Sequence, residues 1–249
     1  MNLIDLSNKT ILITGASAGI GQGTAKLISE LGARIFITGR DIERLKKTFD
    51  SLSGTGHQIL PADLSEEKGI EILTKELPEL DGIVHSAGVI KPFPVKFIGK
   101  KHIDEVFDIN LFAPVLLTSA VLKSKKLKAG ASMIFLSSIS SQHPYQGGAL
   151  YTSSKAAIEA YCRAVAQEYA HKKIRANCIS PGLVKTAMFK ETMNAMTEEK
   201  RATYAEKYPL GYGEVKDVAS AIAFFLSDAS RWITGANLQM DGGLSINHL

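Results

Sequence analysis

The chain has 249 residues, of which 45% are hydrophobic and 22% are charged, as in a soluble globular protein with one large α/β domain. The net charge of +4 is too small to argue for nucleic-acid binding, although it is compatible with phosphate-bearing ligands. No apolar run reaches the roughly 18 residues of a membrane span, and the start MNLID lacks the pattern of a signal peptide. We therefore expect a cytoplasmic protein that does not bind a membrane.

Short apolar segments that are typical of strands alternate with segments of helical periodicity along the chain. The predicted strands are residues 9–14, 34–38, 57–60, 82–85, 131–137, 174–179 and 236–240. The predicted helices are residues 19–31, 41–52, 65–77 with Ser65 as N-cap, 103–122, 151–170 and 215–226. This alternation predicts a single Rossmann-type domain over residues 1–249, a doubly wound parallel sheet of about seven strands with helices on both faces.

One long irregular stretch, residues 181–213, interrupts this pattern near the end of the chain. Its part from 188 to 208 is expected to hold a short helix or two. Because a loop of this length in a compact domain usually binds a ligand, residues 187–213 are the predicted substrate loop.

A glycine-rich segment, TGASAGIG at residues 14–21, joins the first predicted strand to the first helix. Glycines permit a tight turn and a close approach of the backbone to a pyrophosphate, and the following helix start offers free N–H donors. The spacing differs from the common Gly-x-Gly-x-x-Gly fingerprint, and a plain turn is the alternative. The predicted cofactor contacts in this segment are Gly15, Ser17, Gly19, Ile20 and Gly21.

The second predicted strand ends in TGR at residues 38–40. An acid at this place would hold the adenosine ribose hydroxyls, whereas an arginine accommodates a 2′-phosphate. No acid stands at Thr38 or Gly39, so Arg40 favours NADP(H), with NAD(H) possible because an acid, Asp41, follows. The alternative is a solvated turn in which Arg40 pairs with Asp41.

Tyr151 and Lys155 are four residues apart on a predicted helix and therefore share one face. A neighbouring ammonium is expected to lower the tyrosine pKa, so that the phenol exchanges protons with an alcohol or carbonyl oxygen. The spacing is not specific, because the tyrosine–lysine pairs at 169/173 and 212/216 share it. The first pair is distinguished by Ser138 at the end of the fifth predicted strand, where a hydroxyl can donate to the substrate oxygen.

In this order the residues resemble the short-chain dehydrogenase/reductase family over essentially the whole chain, most of all its 3-oxoacyl-acyl-carrier-protein reductase branch. The shared pieces are the glycines 15, 19 and 21, DL at 63–64, SAG at 86–88, Asn110, Ser138, Tyr151, Lys155, PGLVKT at 181–186, YPLG at 208–211, ITG at 233–235 and DGG at 241–243. The resemblance implies that the catalytic residues are Asn110, Ser138, Tyr151 and Lys155. The further cofactor contacts that it implies are Asp63, Leu64, Ala87, Gly88, Pro181, Gly182, Val184 and Thr186, besides Tyr151 and Lys155.

The resemblance also implies roles. Asn110 would hold a water that links Lys155 to solvent, with a purely structural hydrogen bond as the alternative. Ser138 would polarise the carbonyl, unless it only caps the strand end. Asp63 would contact the adenine, and a helix N-terminal acid is compatible with that role. The family often has Asn-Asn where this chain has His-Ser at 85–86, and His85 is expected to be a paired strand-end histidine rather than a catalyst.

The implied activity is reduction of a carbonyl by NADPH, with a 3-oxoacyl thioester as the expected substrate and Tyr151 as the proton donor. Reductases of sugars, steroids and small alcohols share the same features and are alternatives, and a non-catalytic NADP-binding sensor is an alternative from another class. No metal is expected, because Cys162 and Cys178 lack metal-site spacing.

Two kinds of protein partner are expected. The lysines at 123–128 and 172–173 would dock an acidic acyl carrier protein if they converge at the site mouth, and a solvated lysine-rich surface is the alternative. The family usually forms dimers or tetramers through its two long helices, here 103–122 and 151–170, and through the C-terminal segment, so a homo-oligomer is expected.

Overall fold

The computed structural model describes residues 4–194 and 197–246, so the first three residues of the chain lie outside it. Within these residues, parallel strands form one sheet in the order β3-β2-β1-β4-β5-β6-β7. The strands are β1 (Thr10–Thr14), β2 (Arg34–Thr38), β3 (Gln58–Ile59), β4 (Leu80–His85), β5 (Leu127–Leu136), β6 (Arg175–Pro181) and β7 (Asn237–Met240). The predicted doubly wound parallel sheet is therefore confirmed.

Helices cover both faces of the sheet. They are α1 (Gly19–Glu30), α2 (Ile42–Phe49), α3 (Glu67–Glu76), α4 (Lys100–Phe107), α5 (Ala113–Lys123), α6 (Ala149–Tyr169), α7 (Ala187–Asn194), α8 (Glu198–Glu206) and α9 (Val215–Leu226). Alternate residues of a strand point to opposite faces, so Leu12 of β1 packs with α3, α5 and α6, whereas Ile11 and Ile13 pack with α1 and α9. Two apolar cores result, one on each side of the sheet.

The long helix predicted over residues 103–122 is interrupted. A π-helical turn, Asp108–Phe112, joins α4 to α5. Such turns insert an extra residue into a helix and occur often at functional sites. Here the turn carries Asn110, which is 2% exposed. The periodicity of the sequence cannot reveal an inserted residue, because the apolar stripe continues on both sides of it.

The helix that runs through this turn, Lys100–Lys123, is long and apolar enough to cross a membrane by length and composition alone. Core helices of water-soluble proteins satisfy the same criterion. In the apolar part of this helix 39% of the residues are buried inside the subunit, and Phe112 and Leu116 are among its exposed apolar residues.

The predicted N-cap Ser65 is a wrong assignment. Helix α3 begins two residues later, after Glu66, whose side chain makes no capping hydrogen bond. Ser65 instead donates from its N–H and its hydroxyl to Oδ1 of Asp63, at 3.0 and 2.7 Å. The short side chain of Asp63 closes a local turn, and that turn uses the serine which would otherwise cap the helix.

The two lysine segments lie at the end of the sheet opposite the predicted catalytic residues. Strand β5 begins at Leu127, so Lys126 and Lys128 flank its amino end, and Lys128 pairs with Asp81 at 2.9 Å. Lys172 follows the carboxyl end of α6, a helix of 21 residues that spans roughly 30 Å. Because Tyr151 is at the other end of α6, these lysines do not converge at the site mouth of one subunit.

The predicted substrate loop holds two helices, α7 and α8, as the sequence predicts. Neither helix has a buried residue among those described. These helices therefore add no buried residue to either core, and they follow β6 in the chain.

Candidate active site

The carboxyl ends of the parallel strands bring the predicted site residues to one edge of the sheet. The order of the strands reverses between β1 and β4, and ligands bind at such a switch point in open α/β sheets. The residues that follow the strand ends are Gly15 to Gly21 after β1, Arg40 after β2, Asp63 after β3, Ala87 and Gly88 after β4, Ser138 after β5 and Gly182 to Thr186 after β6. Pro181 is the last residue of β6.

The turn between β1 and α1 packs its backbone closely on neighbouring loops. A Cβ added at Gly15 (φ +66°) would lie 2.7 Å from the backbone N of Ala87, and one added at Gly21 would lie 2.5 Å from the Gly15 carbonyl oxygen. Helix α1 has neither a side-chain cap nor an acid in its first turn. Its uncapped N–H groups and its partial positive charge fit an anionic pyrophosphate, so this segment is suited to a dinucleotide.

Other loops surround this turn. The loop after β2 lies close to Ser17 of this turn, because a Cβ added at Gly39 would lie 3.7 Å from Ser17 Oγ. The loop after β6 also lies close, because a Cβ added at Gly19 would lie 3.4 Å from Thr186 Cγ2. The turn is tied to the loop after β4 by Thr14, whose Oγ1 accepts hydrogen bonds from the N–H groups of Ser86 and Ala87 at 3.1 and 3.2 Å.

Arg40 is exposed, and the pairing with Asp41 that the sequence leaves open is absent from the described structure. Asp41 instead caps α2 by accepting from the N–H of Arg44 at 3.0 Å, and its other oxygen lies 3.2 Å from the Arg44 guanidinium. Asp63 lies within the field of Arg40. Burial alone would raise the pKa of Asp63, but the hydrogen bonds from Ser65 and the charge of Arg40 hold that pKa below its ordinary value.

The segment after β6 offers backbone groups to the crevice. Val184 forms a parallel bridge with Gly213 through the backbones of Leu183 and Lys185, so its own N–H and C=O are not used by that bridge. The hydroxyl oxygen of Thr186 accepts a hydrogen bond from the N–H of Phe189 at 3.2 Å, which leaves the hydroxyl proton for an acceptor. Leu64 differs from these residues, because its buried side chain packs in the core on the side of α3, α5 and α6.

Ser138 is held by the turn that follows β5. Its Oγ accepts hydrogen bonds from the N–H and the Oγ of Ser140, at 3.2 and 2.9 Å. The strand-end cap that the sequence offers as an alternative role is therefore real. A hydroxyl oxygen has two acceptor positions, and Ser140 occupies both, so the proton of Ser138 is left for donation. The Ser138 hydroxyl lies within hydrogen-bonding reach of Tyr151, whose pKa it lowers.

Tyr151 is 9% exposed and lies in the first turn of α6. Burial raises the pKa of Tyr151 to about 12, and the neighbouring Ser138 hydroxyl opposes that rise. The expectation that Lys155 lowers this pKa is wrong for the structure described, because burial is the largest cause of the shift and the group that opposes it is Ser138, not Lys155. At neutral pH Tyr151 is therefore a protonated phenol, which suits a proton donor.

Lys155 is 4% exposed, and its Nζ lies 5.6 Å from the ring centroid of Tyr151. The amine donates a hydrogen bond to the carbonyl oxygen of Leu136 at 2.7 Å. Burial lowers the pKa of Lys155 to about 8, with a smaller opposing effect from Cys178. Its charge therefore changes close to neutral pH.

Asn110 fixes the loop after β4. Its Oδ1 accepts from the N–H of Val89 at 2.8 Å, and its Nδ2 donates to the Val89 carbonyl at 3.0 Å and to Ser154 Oγ at 3.1 Å. A Cβ added at Gly88 would lie 3.4 Å from Asn110 Oδ1 and 3.5 Å from Lys155 Nζ. The structural role that the sequence left open is thus present, and one acceptor position of Oδ1 is left for a water.

Comparison with known proteins gives the family. The sequence profile described as Enoyl-(Acyl carrier protein) reductase matches residues 15–245. The chain belongs to the short-chain dehydrogenase/reductase family. A solved short-chain dehydrogenase/reductase of Brucella melitensis, described as glucose/ribitol dehydrogenase, superposes with a TM-score of 0.89 at 29% identity, covering 97% of this chain and 98% of that one.

Curated relatives of this short-chain dehydrogenase/reductase have several activities. The 3-oxoacyl-acyl-carrier-protein reductase of Rickettsia felis is 33% identical over 97% of this chain and 99% of its own length. The 7alpha-hydroxysteroid dehydrogenase of Bacteroides fragilis is 32% identical, with coverage of 97% and 96%. The L-xylulose reductase of Caenorhabditis elegans is 29% identical, with coverage of 98% of both chains. The chain is therefore an NAD(P)-dependent oxidoreductase, and its relatives do not agree on a substrate.

The tertiary structure separates the three tyrosine–lysine pairs of this short-chain dehydrogenase/reductase. Only Tyr151 and Lys155 lie together within one helix. Tyr169 is the last residue of α6, and Lys173 follows with a left-handed backbone at φ 58°. Tyr212 precedes α9 and packs its ring against Phe189, with 5.0 Å between centroids.

His85 is a paired strand-end histidine, as the sequence predicts. It is 5% exposed, its ring stacks on Phe135 with 4.6 Å between centroids, and its Nε2 lies 3.2 Å from Thr118 Oγ1. Burial lowers the pKa of His85 to about 3, so the ring is neutral. It replaces the family asparagine by packing and one hydrogen bond.

Sequence reasoning missed three residues that organise the site. Thr14 ends β1 and ties two loops, and Ser140 supplies both hydrogen bonds to Ser138. Glu159 is a buried acid one helical turn beyond Lys155. The sequence contains one indication of Glu159. It stands four residues after Lys155, as Lys155 does after Tyr151, so it lies on the same buried face of the helix.

Proposed function

We propose that this short-chain dehydrogenase/reductase reduces a carbonyl to an alcohol with NADPH, and that Tyr151 gives the proton. The observation that carries the proposal is the meeting of three groups at the carboxyl end of the sheet. These are a phenol with its pKa raised to about 12, a serine hydroxyl with both acceptor positions filled, and a buried amine one turn along the same helix.

Each group has a distinct part in the proposed reaction. Ser138, whose proton is not used by Ser140 and is next to Tyr151, donates it to the substrate oxygen and stabilises the negative charge that grows there. Tyr151, held protonated by burial, transfers its proton to the same oxygen. Lys155 then restores the proton of Tyr151, because its pKa of about 8 allows it to lose and regain a proton near neutral pH. The bound reduced nicotinamide would supply the hydride to the carbonyl carbon.

The other predicted site residues are proposed to hold the cofactor. The turn Gly15 to Gly21 would bind the pyrophosphate, and Arg40 the 2′-phosphate. Asp63 would take the adenine, while the backbone of Val184 and the hydroxyl of Thr186 would take the nicotinamide side. The preference for NADPH over NADH is supported by the free position of Arg40, since the acid next to it is already paired with Arg44. Asn110 would keep a water near Lys155 for proton resupply.

A 3-oxoacyl thioester is the substrate that we propose first, because the Rickettsia felis relative matches over nearly both full lengths. The exposed helices α7 and α8 would cover an acyl chain, with Met188 on the outside at 37% exposure. Steroids and sugars are the second candidates, because relatives of similar identity act on them by name.

We also propose a cytoplasmic homo-oligomer, a dimer or a tetramer. Ile103, Phe112 and Leu116 are exposed apolar residues of the helix Lys100–Lys123, and a second subunit would cover them. If this helix and α6 pack antiparallel to their copies about a twofold axis, the lysines at the far end of α6 approach the neighbouring site mouth. Docking of an acidic acyl carrier protein would then use the lysines of one subunit and the site of the other.

The test is a set of initial-rate measurements with NADPH and with NADH. The substrates are acetoacetyl-coenzyme A, a crotonyl thioester as the enoyl analogue, a 7-oxo steroid and xylulose, with Tyr151→Phe as the control for each. Fast reduction of the 3-oxo thioester with NADPH is the expected result. Faster reduction of the steroid or the sugar would replace the 3-oxoacyl thioester as the proposed substrate. If NADPH binds by fluorescence titration but no carbonyl is reduced, the proposal is wrong and the non-catalytic alternative gains.

A further inference from the structure

A buried carboxylate continues the catalytic face of α6 beyond Lys155. Glu159 is 7% exposed and stands four residues after Lys155, as Lys155 stands four residues after Tyr151. Its Oε1 accepts hydrogen bonds from Ser137 and Ser141, both at 2.6 Å, and from Ser180 at 3.2 Å. These serines belong to three segments, namely the end of β5, the turn after it and the end of β6.

The composition of this cluster is unusual for a protein core. Burying a carboxylate is costly unless hydrogen bonds or an opposite charge compensate for the lost hydration. Within the described residues Glu159 has no ion pair, so hydroxyl donors carry the compensation. An apolar residue would fill the same space at less cost, and buried polar networks of this kind fix geometry more than they add stability.

The geometry that Glu159 fixes is that of Ser138. Ser137 precedes Ser138, and Ser141 ends the turn whose Ser140 supplies both hydrogen bonds to Ser138 Oγ. One carboxylate oxygen therefore holds both ends of the segment Ser137 to Ser141. Ser137 Oγ also lies 3.2 Å from the Lys155 carbonyl oxygen, which ties the segment to the helix that carries Tyr151.

We propose that Glu159 is a positioning residue that aims the Ser138 hydroxyl at the substrate oxygen. It touches neither substrate nor cofactor, and it acts through Ser137, Ser141 and the turn between them. The inference rests on the proposed function, because aiming Ser138 matters only if a carbonyl is reduced there. Glu159→Leu removes all three acceptor contacts, whereas Glu159→Gln keeps one carbonyl oxygen as an acceptor.

The first measurement is steady-state reduction of acetoacetyl-coenzyme A by the full-length protein. Glu159→Leu is expected to lower kcat by roughly 10- to 100-fold, the cost of misplacing a catalytic group by a fraction of an ångström to an ångström. The KM for NADPH should stay within about 2-fold, because Glu159 is not near the proposed phosphate contacts. Glu159→Gln should recover part of the lost kcat. Glu168→Gln, an exposed acid on the same helix, is the matched control and should leave kcat unchanged.

The second measurement separates positioning from packing by a double-mutant cycle. In a Ser138→Ala background, Glu159→Leu should lower kcat by less than about 2-fold, because the group that it positions is gone. An equal loss of kcat in both backgrounds would overturn the proposal. So would equal kcat for the Gln and Leu variants together with a lowered melting temperature, since that result indicates a packing role. If Glu159→Leu does not fold, Ser141→Ala replaces it in the same cycle.

Failure of the proposed function is recognised separately. If the wild-type protein reduces no carbonyl in the panel, the function is wrong, and Glu159 is judged by crystal structures of the wild type and Glu159→Leu. A retained Ser138–Ser140 hydrogen bond with unmoved Oγ atoms in the variant would then overturn the positioning role. Displacement of Ser138 Oγ would support it independently of activity.

Discussion

Lys155 should make the free energy of unfolding depend on pH in a way that Lys155→Met abolishes. The amine is 4% exposed, it donates one hydrogen bond to the Leu136 carbonyl, and no carboxylate pairs with it among the described residues. Burial lowers its pKa from 10.5 to about 8. The folded protein therefore holds this proton less tightly than the unfolded chain does.

The sign follows from proton linkage. Below pH 8 both states carry the proton, and the folded state bears the full cost of the buried ammonium. Between pH 8 and 10.5 the unfolded chain binds more protons than the folded protein, so the free energy of unfolding rises with pH. At about 1.4 kcal/mol for each pH unit, this rise amounts to about 3 kcal/mol. Methionine has a similar length and no charge, so the free energy of unfolding of the variant lacks this rise with pH.

Two opposite terms set the stability of the variant at pH 7. Removal of the buried charge raises the free energy of unfolding by about 3 kcal/mol. Loss of the hydrogen bond to the Leu136 carbonyl lowers it by about 1 kcal/mol. Lys155→Met should therefore be more stable than the wild type by about 2 kcal/mol at pH 7 and less stable by about 1 kcal/mol above pH 10.5. A catalytic residue that lowers stability in this way is common at active sites.

The assay is urea unfolding followed by circular dichroism at pH 7 and at pH 10.5, at one fixed protein concentration. Other groups titrate in this range, but they do so in both proteins, so the difference between the two isolates Lys155. Lys26→Met, which removes an exposed lysine of α1, is the control and should follow the wild type. If Lys155→Met shows the same pH dependence as the wild type, the reasoning about the buried ammonium is refuted.

Four further outcomes are expected. Tyr151→Phe should lower kcat by roughly 10²- to 10⁴-fold through loss of the proton donor, with NADPH affinity in fluorescence titration nearly unchanged; near wild-type turnover would mean that another group donates. Arg40→Ala should weaken NADPH by roughly 10- to 100-fold, the value of a charge-assisted hydrogen bond, and weaken NADH little; equal weakening would exclude Arg40 from the phosphate site. Ser140→Ala should lower kcat about 5-fold, since it removes one neutral hydrogen bond to Ser138, the proposed donor to the substrate oxygen, and an unchanged kcat contradicts that role. Gly21→Ala places a Cβ 2.5 Å from a backbone carbonyl oxygen and should destabilise the protein by about 1–3 kcal/mol in thermal unfolding; an unchanged melting temperature would show that the turn can adjust.

The sequence determined the fold because its pattern is strong and local. Every predicted strand overlaps an observed one, since short β-branched runs between helical segments have few alternatives. Several boundaries differ from the prediction, and two of the differences have a local cause. Ser65 serves Asp63 instead of capping α3, and an extra residue widens the helix at Asn110.

The candidate site also has features that the sequence predicts and features that it does not. Tyr151, Lys155 and Ser138 could be chosen from residue type, spacing and place at a strand end, which are properties of the chain order. Their ionisation could not be predicted, because the pKa of a phenol or amine depends on how much water the surrounding segments exclude. That is why the sequence predicts a lowered pKa for Tyr151, whereas burial raises it.

The sequence by itself therefore determined the family, the doubly wound sheet and the identity of the residues that meet at its carboxyl edge, because these follow from local periodicity and from motif order. Only the tertiary structure decided which contacts those residues make. It joined Glu159 to serines from three separate segments, and it placed the lysine-rich segments at the far end of α6 from Tyr151. Such contacts join residues distant in the chain, and no local pattern records them.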